Sequence, residues 1–310
     1  GISKQGSEVQ YIGSLLKGSM SVIAPPSAKE LTAYSAQVYA NSPYAQYKAG
    51  SSSTAPIALG KASPVRYIFY IIKENRTYDQ VLADVKGGNG DTTLLLFGRK
   101  YTPNLHALAE KFVLLDNFYV NAEVSADGHN WTMGAYATDY LEKTWPTSYG
   151  GRGGTYGGEG EREIANNKNG FMWNNCHRYG VSYRSYGEFV DNDKPNIPIL
   201  ADHFCPRYPG YDLGVRDTSR FYVWKKDFQQ LLKEGRVPQF NTIRMGNDHT
   251  EGLRLNAPSP YAHVADNDLA VGMLVETLAK SPIWNESVVF VVEDDAQNGA
   301  DHVDAHRSTA

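Results

Sequence analysis

The feature that most restricts the fold of this chain is a short apolar segment that ends abruptly in acidic residues. Residues 287–292, Ser-Val-Val-Phe-Val-Val, are followed directly by Glu293, Asp294 and Asp295. A short, β-branched apolar run is typical of a strand buried on both faces of a parallel sheet. In open α/β sheets, ligands bind just beyond the carboxyl ends of the strands. The segment therefore predicts both a fold class and the place of a site.

Strands and helices alternate along the body of the chain. Residues 65–72 predict a second buried strand, residues 103–112 a helix with Pro103 in its first turn, and residues 239–245 a short strand. Residues 266–280 predict an amphipathic helix that leads to the last strand. This alternation predicts an α/β fold with a doubly wound, mostly parallel sheet flanked by helices.

The N-terminal residues differ from the remainder. A strand is predicted at residues 18–23 and a helix at residues 28–40, and residues 47–56 are rich in Ser, Gly, Ala and Pro, as linkers are. We therefore expect residues 1–63 to be an N-terminal extension or linker from a preceding module. Residues 64–310 would then form the α/β domain, in which residues 112–120 predict a further strand.

Residues 145–224 are irregular and rich in aromatic residues and prolines, which predicts a loop-rich insertion over the edge of the sheet. The glycine-rich residues 149–160 have neither the preceding strand nor the closing Gly-Lys-Ser/Thr of a phosphate loop, so a surface loop or lid is favoured. The aromatic side chains fit two interpretations, packing onto the sheet or lining a pocket for a sugar, nucleoside or choline-like head group. They are Trp145, Tyr149, Tyr156, Trp173, Tyr183, Tyr186 and Tyr211.

Charge and hydropathy exclude some classes of protein. A net charge of −4 and a pI near 6.1 give no electrostatic reason to expect binding to nucleic acid or to an acidic membrane surface. No apolar run approaches the length of a transmembrane helix, and these residues contain no signal peptide. The start at Gly1, without Met, is typical of a processed or engineered terminus, which leaves removal of a targeting segment open. Cys176 and Cys205, the two cysteines, fit either one disulfide of an exported protein or two separate thiols.

Groups that bind metal ions or phosphate follow several predicted strands. They are Glu74 and Asn75, the loop after Val120, Asp248 with His249, and Asp294 and Asp295 with His302 and His306. So many carboxylates repel one another unless a cation or protons neutralise them, which favours a divalent metal site. Oxygen ligands favour a hard cation and histidines favour zinc, so Zn, Ca, Mn and Mg all stay open. A zinc pair of His302 and His306 would require a helix over residues 301–307.

Ser125 lies in the loop after Val120 and precedes a helix-forming stretch. A serine at the N-terminus of a helix is a suitable nucleophile for phosphate chemistry, because the backbone amides and the helix dipole stabilise a bound phosphate. A serine in the same place also serves simply to cap a helix. The sequence leaves both interpretations of Ser125 open.

Four segments in order resemble signatures of the phosphoesterase family of bacterial phospholipases C and acid phosphatases, within the alkaline-phosphatase-like superfamily. The segments are Glu74-Asn75-Arg76-Thr77-Tyr78-Asp79, similar to Glu-Asn-Arg-Ser-Phe-Asp; Asp248-His249-Thr250, similar to Asp-Glu-His-Pro; Ser281-Pro282-Ile283-Trp284, similar to Ser-Pro-x-Trp; and residues 294–303, similar to Asp-Glu-x-Gly-Gly-x-x-Asp-His-Val. The resemblance spans residues 65–307. It is greatest to a branch in which this domain follows a β-propeller in one exported polypeptide, with residues 1–45 as the joining segment.

The resemblance implies metal-dependent hydrolysis of a phosphoric ester through a phosphoseryl intermediate on Ser125. It implies metal ligation by Glu74, Asn75, Asp294 and Asp295. His129, His249 and His302 would hold phosphate oxygens, protonate the leaving group or complete a metal site, and Asp248, Asp301 and His306 are further candidates for these duties. The implied substrate is a phosphate-ester small molecule or a lipid head group, and the implied location is the periplasm or the exterior of the cell. A phosphotransferase and a non-catalytic exported binding module are the alternatives.

The chain departs from the family pattern in two places. Asp295 replaces the usual glutamate, which shortens that side chain by one methylene. The chain also ends at Ala310, whereas relatives continue through further strands and helices. We therefore expect a domain that is truncated at its C-terminus, with a site that is more open or less complete than in those relatives.

Overall fold

The computed structural model describes residues 3–5, 8–10, 20–41, 63–191, 193–296 and 299–310. The chain divides into two compact units, residues 2–64 and residues 65–310. In the first unit, β1 (Ser3–Gln5) pairs with β2 (Glu8–Gln10) in antiparallel fashion. The helix α1 (Ala28–Asn41) has no buried side chain.

The structure tests two of the predictions for the N-terminal part. The helix predicted at residues 28–40 is confirmed. The described part of the strand predicted at residues 18–23 is residues 20–23, which are not a strand. The linker predicted at residues 47–56 lies outside the described residues, and the origin of residues 1–63 in a preceding module stays a prediction.

Four parallel strands form the central sheet of the second unit. Their order across the sheet is β5 (Tyr183–Tyr186), β8 (Phe240–Arg244), β3 (Tyr67–Lys73) and β9 (Ser287–Glu293). Lys73 lies opposite Glu293 in the register, and Ile72 lies opposite Arg244. The last residues of β3, β8 and β9 therefore lie side by side at one edge of the sheet, which confirms the predicted α/β arrangement.

Helices, short strands and 3-10 turns surround this sheet. The helices are α2 (Tyr78–Leu82), α3 (Pro103–Lys111), α4 (Ser125–Gly134), α5 (Asp139–Tyr149), α6 (Met172–Arg178), α7 (Asp217–Lys233) and α8 (Pro260–Ala279). β4 (Phe118–Tyr119) pairs with β10 (Arg307–Ser308), and β6 (Val190–Asp191) pairs with β7 (Lys194–Pro195). The 3-10 turns are Thr92–Leu94, Glu163–Ala165, Pro198–Leu200, Asn247–His249 and Trp284–Glu286. Among the described residues, no helix has the length and apolar character needed to cross a membrane.

The two faces of the sheet carry separate apolar layers because successive strand residues point to opposite sides. Phe69 and Ile71 of β3 belong to the layer that includes α7 and α8, and the Phe69 ring lies edge-on to Trp224 with centroids 6.5 Å apart. Ile72 belongs to the opposite layer, together with Trp173 of α6. The sheet is thus covered on both faces, as a doubly wound fold requires.

Two segments differ from the sequence prediction. Residues 112–120 contain only β4, which pairs outside the central sheet, because residues 116–117 form a turn, for which Asp and Asn are well suited. Residues 183–186 lie within the predicted insertion, yet they form the edge strand β5. The sequence of β5 is Tyr-Arg-Ser-Tyr and has no apolar run. Its arginine, Arg184, is paired with Asp227 at 2.8 Å, which permits a polar residue in this strand.

Lys73 connects the carboxyl ends of three strands. Its Nζ lies 2.7 Å from Glu293 Oε1 at the end of β9 and 2.7 Å from Asp248 Oδ2, which follows β8. All three side chains are at most 1% exposed. Burial acts to lower the pKa of Lys73, but Asp248 and Glu293 outweigh it and raise that pKa above its ordinary value. The ammonium group is therefore charged, and its loss would leave two carboxyl groups buried without their cation.

The first prediction concerns this ion-pair group. Replacement Lys73→Ala should reduce the free energy of unfolding by about 3–5 kcal/mol, since removing one partner of a buried ion pair leaves uncompensated charge. Urea unfolding followed by far-ultraviolet circular dichroism measures the change. Lys226→Ala, at an exposed position of α7, serves as the control. A loss for Lys73→Ala no larger than that for the control would contradict the role of Lys73.

The second prediction concerns the cysteines. Cys176 and the buried Cys205 are free thiols, so the structure supports two separate thiols rather than a disulfide. Burial raises the pKa of both thiols and makes them poorly reactive. A reducing agent should therefore leave the melting temperature unchanged, and a thiol reagent should titrate both cysteines after denaturation without reduction. A lower melting temperature in reductant would contradict this.

Candidate metal centre and active site

The loop after β3 brings two predicted ligands to the edge of the sheet. Glu74 and Asn75 follow Lys73 directly, and Asn75 has a φ angle of 62°. Asparagine adopts this left-handed region more readily than most residues with a side chain. The turn places the Asn75 backbone nitrogen 3.3 Å from Asp294 Oδ1, after β9. Neighbouring strands thus contribute adjacent groups.

Ser125 is the first residue of α4, and Val124 is the N-cap residue, which has no side-chain hydrogen bond to the helix. The Ser125 hydroxyl instead donates to Asn75 Oδ1 at 2.7 Å. The interpretation of Ser125 as a simple helix cap is therefore wrong. Its hydroxyl is half-buried and directed toward a candidate metal ligand.

The approach of α4 to the last strand depends on a glycine. A Cβ atom added to Gly128 would lie 2.3 Å from the backbone oxygen of Asp294. A side chain at this position would push the helix away from the loop after β9. The proximity of Ser125 and His129 to the strand ends therefore requires residue 128 to be glycine.

His129 of α4 lies between three buried carboxyl groups. Its Nε2 atom is 3.1 Å from Glu74 Oε1 and 3.4 Å from Asp294 Oδ2, and its Nδ1 atom is 2.8 Å from Glu188 Oε1. All four side chains are at most 1% exposed. This is a dense group of ionisable side chains with little access to water.

Arg244, the last residue of β8, supplies positive charge to this group. Its Nη2 atom lies 2.7 Å from Glu74 Oε1, and its Nη1 atom pairs with Glu159. Burial acts to raise the pKa of Glu74, but Arg244 and His129 outweigh it and lower that pKa to about 2. Burial and the charges of Glu74 and Asp295 raise the pKa of Asp294 well above its ordinary value. Glu74 is therefore ionised, and ionisation of Asp294 requires further positive charge.

The residues present fit a divalent metal ion. Glu74, His129 and Asp294 each offer a ligand atom, and these atoms lie within 4.8 Å of one another. Glu74 Oε2 and Asp294 Oδ2 are buried and have no hydrogen-bond partner in the described part of the chain. A cation between them would satisfy these oxygens and relieve the repulsion. The oxygens of Asn75 and Ser125 adjoin the group, which makes a mixed oxygen and nitrogen ligand set.

Three more predicted residues lie at the same edge of the sheet. Asp248 Oδ1 accepts a hydrogen bond from the Glu74 backbone nitrogen at 3.1 Å, and Asp295 is wholly buried next to Asp294. His249 is half-buried, and its ring lies edge-on to Tyr211 with centroids 6.0 Å apart. Arg76 fixes this turn by donating to the backbone oxygens of Asp248 and His249, both at 2.7 Å.

The C-terminal histidines are placed elsewhere. His302 Nδ1 lies 2.6 Å from Asp79 Oδ2, and Asp79, Asp301 and His302 form a second group with metal-binding spacing. This group already contains a cation, because the buried Arg307 pairs with Asp79 and Asp301, both at 3.2 Å. Its contacts join the segment after β9 to α2.

His306 pairs with Glu123 at 3.0 Å and with Asp304 at 2.9 Å, and its side chain is 38% exposed. Residues 301–307 contain bends, turns and the first residue of β10 rather than a helix. The alternative of a zinc pair on one helical face is therefore not formed. Within the described residues, no hydrogen bond or ion pair joins His302 or His306 to Glu74, His129 or Asp294.

Several residues of the site escaped the sequence prediction. Lys73, Arg244 and Glu293 are the last residues of their strands, so the rule that led to Glu74 and Asp294 could have included them. Glu159 and Glu188 lie in the irregular segment 145–224, where no periodic pattern distinguishes one acidic residue from another. Only the three-dimensional contacts identify them.

The aromatic residues of segment 145–224 divide between the two interpretations. Trp173, Tyr183 and Tyr186 are buried in the apolar layers and pack the segment onto the sheet. Tyr149, Tyr156 and Tyr211 lie near the site. The Tyr149 hydroxyl oxygen accepts from the Ala126 backbone nitrogen at 3.4 Å, the Tyr156 hydroxyl donates to Asp127, and the Arg244 guanidinium lies 4.7 Å from the centre of the Tyr211 ring. The side chain of Trp145 is half-buried in α5.

A model of the Phosphoesterase family matches residues 20–309 of the chain. No protein with a curated description matches the sequence. A structure of a protein in the alkaline phosphatase superfamily from Vibrio parahaemolyticus is similar, with a TM-score of 0.53 and 17% identity over 79% of this chain and 59% of that chain. This similarity concerns the fold, and the present chain spans less than two thirds of that protein.

Other similar structures have lower TM-scores. The lipoteichoic acid synthase LtaP from Listeria monocytogenes has a TM-score of 0.46 and 14% identity, over 76% of this chain and 56% of that chain. Human ectonucleotide pyrophosphatase/phosphodiesterase 5 has a TM-score of 0.44 and 14% identity, over 74% of this chain and 56% of that chain. The fold of the chain is similar to that of the Vibrio protein.

The third prediction concerns Asp294. A carboxyl group whose pKa is raised by folding contributes stability at low pH, and this contribution is lost as the pH rises through the folded-state pKa. Asparagine does not ionise, so the Asp294→Asn variant does not lose this stability as the pH rises. Without metal, the variant should therefore have a larger free energy of unfolding than wild type at neutral pH. The variant should also bind divalent metal at least about 100-fold more weakly than wild type. This loss of affinity exceeds that typical of residues that only contact a metal ligand, because Asp294 is itself a proposed ligand.

Urea unfolding in the presence of a chelator and calorimetric titration with Mn²⁺ or Zn²⁺ measure the two effects. Asp139→Asn removes one exposed carboxylate and is the matched control. A variant that binds metal like wild type would show that the metal centre does not include Asp294.

Proposed function

We propose that this chain, which belongs to the Phosphoesterase family, hydrolyses a phosphoric ester with the help of a divalent metal ion. The observation that carries the proposal is the contact of Ser125 Oγ with Asn75 Oδ1 at 2.7 Å, at the N-terminus of α4 and beside a carboxylate group that fits a cation. Neither a helix cap nor a packed core requires this arrangement. It combines a nucleophile, an anion-binding helix end and a metal centre.

The proposed reaction begins with attack of Ser125 Oγ on phosphorus. The serine hydroxyl gives up its proton to water, the P–O bond to the alcohol breaks and the alcohol leaves with a proton. Water then cleaves the P–O bond to Ser125, which releases phosphate from a monoester or a phosphate monoester from a diester. Glu74, Asn75, His129, Asp294 and Asp295 are the proposed metal-binding residues. A divalent ion bound there would lower the pKa of the serine hydroxyl and neutralise charge on the phosphoryl oxygens.

Other side chains have proposed roles around this centre. His249 is half-buried and its ring contacts Tyr211, which in turn lies against Arg244, so His249 is the proposed proton donor to the leaving alcohol. The backbone amides at the start of α4 would bind phosphoryl oxygens, since the first amides of a helix have no partner within it; the Ala126 amide contacts the Tyr149 hydroxyl oxygen in this structure. His302, Asp301 and His306 are not assigned to the reaction, because their contacts lie in the second group or at the surface.

Substrate and location complete the proposal. Tyr149 and Tyr211 border the site, and an ester with an organic group able to contact aromatic rings, such as a phosphate-ester small molecule or a lipid head group, fits these neighbours. A periplasmic or secreted location and a preceding β-propeller domain follow from the sequence resemblance alone.

The test compares three aryl substrates, a phosphate monoester, a phosphate diester and a sulfate ester, with metal-loaded protein. An assay with an added acceptor alcohol distinguishes hydrolysis from transfer, because transfer gives a new ester in place of free phosphate. A folded, metal-loaded protein that acts on none of these substrates would favour the non-catalytic binding module.

The fourth prediction concerns the nucleophile. Ser125→Ala should lower kcat by at least about 1,000-fold, because it removes the attacking oxygen. Its metal content and melting temperature should stay close to those of wild type. Ser219→Ala, at an exposed position of α7, is the control, and intact-protein mass spectrometry after acid quenching should detect one phosphoryl group on wild type only. Turnover by Ser125→Ala comparable to wild type would eliminate the covalent mechanism.

A further inference from the structure

Glu188 is a wholly buried carboxylic acid to which the proposed reaction assigns no role. Its Oε1 atom lies 2.8 Å from Nδ1 of His129, whereas Nε2 of the same ring faces Glu74 Oε1 at 3.1 Å and Asp294 Oδ2 at 3.4 Å. One imidazole ring therefore bridges Glu188 and the candidate metal centre. Glu188 contacts the nitrogen that is turned away from that centre.

The backbone around Glu188 is held in a conformation that few sequences adopt. Gly187 has a φ angle of 84° and Phe189 a φ angle of 54°. The left-handed region is unfavourable for a bulky residue such as phenylalanine, and it persists only where surrounding contacts enforce it. Here Ser185 Oγ donates to the Glu188 backbone oxygen at 2.6 Å, and the Phe189 ring packs against the Trp173 ring with centroids 5.3 Å apart. The turn after β5 thus fixes the direction of the Glu188 side chain.

Stability alone does not account for this carboxyl group. Its Oε2 atom is buried and has no hydrogen-bond partner in the described part of the chain. A buried carboxylate with an unsatisfied oxygen destabilises a folded protein compared with an apolar side chain of similar size. Buried charged groups that lower the stability of the folded state and strained backbone turns are both typical of functional sites.

We infer that Glu188 is a positioning residue for His129, whose Nδ1 hydrogen it accepts so that Nε2 is directed into the metal centre. In the metal-free protein both ring nitrogens face carboxylate oxygens; an imidazole bound to a metal through Nε2 would be neutral, and a carboxylate at Nδ1 would hold its one remaining hydrogen there. A carboxylate that orients a histidine ligand in this way also increases the basicity of the ligand. The inference rests on the proposed function, since it assigns His129 to the metal-binding group.

The experiment uses two variants and one control. Glu188→Gln keeps the shape and an oxygen acceptor but removes the charge, and Glu188→Leu removes the acceptor as well. Glu163→Gln removes an exposed carboxylate from the same segment of the chain. Calorimetric titration with Mn²⁺ or Zn²⁺ measures metal affinity, and long-range ¹H–¹⁵N NMR of the imidazole rings locates the hydrogen of His129.

In wild type, both with and without metal, we expect a hydrogen on Nδ1 of His129. The affinity for metal should fall by about 10- to 100-fold in Glu188→Leu, less in Glu188→Gln, and not in Glu163→Gln. The residual hydrolysis by each variant should fall in the same order. If Glu188→Leu does not fold, the NMR spectrum of wild type and the affinity of Glu188→Gln still decide the question.

The inference is overturned if Nδ1 of His129 in wild type carries no hydrogen, or if folded Glu188 variants bind metal as tightly as wild type. Wild type that binds no divalent metal would overturn it as well. A different outcome would contradict the proposed function without contradicting the role of Glu188. Wild type that binds metal with the expected dependence on Glu188 but hydrolyses none of the esters would support the role of Glu188 and contradict the hydrolase.

Discussion

The buried ion pairs of Lys73 with Asp248 and Glu293 hold together the carboxyl ends of three parallel strands. Lys73 ends β3, Glu293 ends β9, and Asp248 follows β8, so this one ammonium group sets the spacing of those ends. The residues that follow Lys73 and Glu293 directly in the chain are the proposed ligands Glu74 and Asp294. The geometry of the metal centre therefore depends on a charge interaction directly beneath it.

The site above this ion-pair group contains more negative charge than the chain itself neutralises. Arg244 compensates Glu74, and its guanidinium also pairs with Glu159. Asp294 is left with a pKa raised by burial and by the charges of Glu74 and Asp295. The same imbalance that disfavours the metal-free site would be relieved by a bound divalent cation. Stability and function are thus opposed at these positions, as at many active sites.

The sequence predicts well the part of the structure that follows from periodic patterns. The apolar runs at residues 65–72 and 287–292 became neighbouring strands, and their acidic ends meet at one edge of the sheet. Segment 145–224 was not predictable in the same way, because β5 has polar residues that are neutralised only by partners distant in sequence. Glu188 belongs to this segment. Its importance depends on a turn conformation and on a contact with His129, neither of which has a local signature.

The contacts that complete the site join residues far apart in the chain. Lys73 and Glu293 are 220 positions apart, and the pair of Asp79 with Arg307 spans 228 positions. Closing such long loops costs entropy before the contacts are formed, which slows folding. During synthesis on the ribosome, the strand ends cannot be joined until Glu293 has emerged, and the pair with Asp79 cannot form until Arg307 has emerged. We therefore expect the nascent protein to expose an unpaired edge of its sheet until these residues have been synthesised. The nascent protein should be most prone to aggregation before that stage.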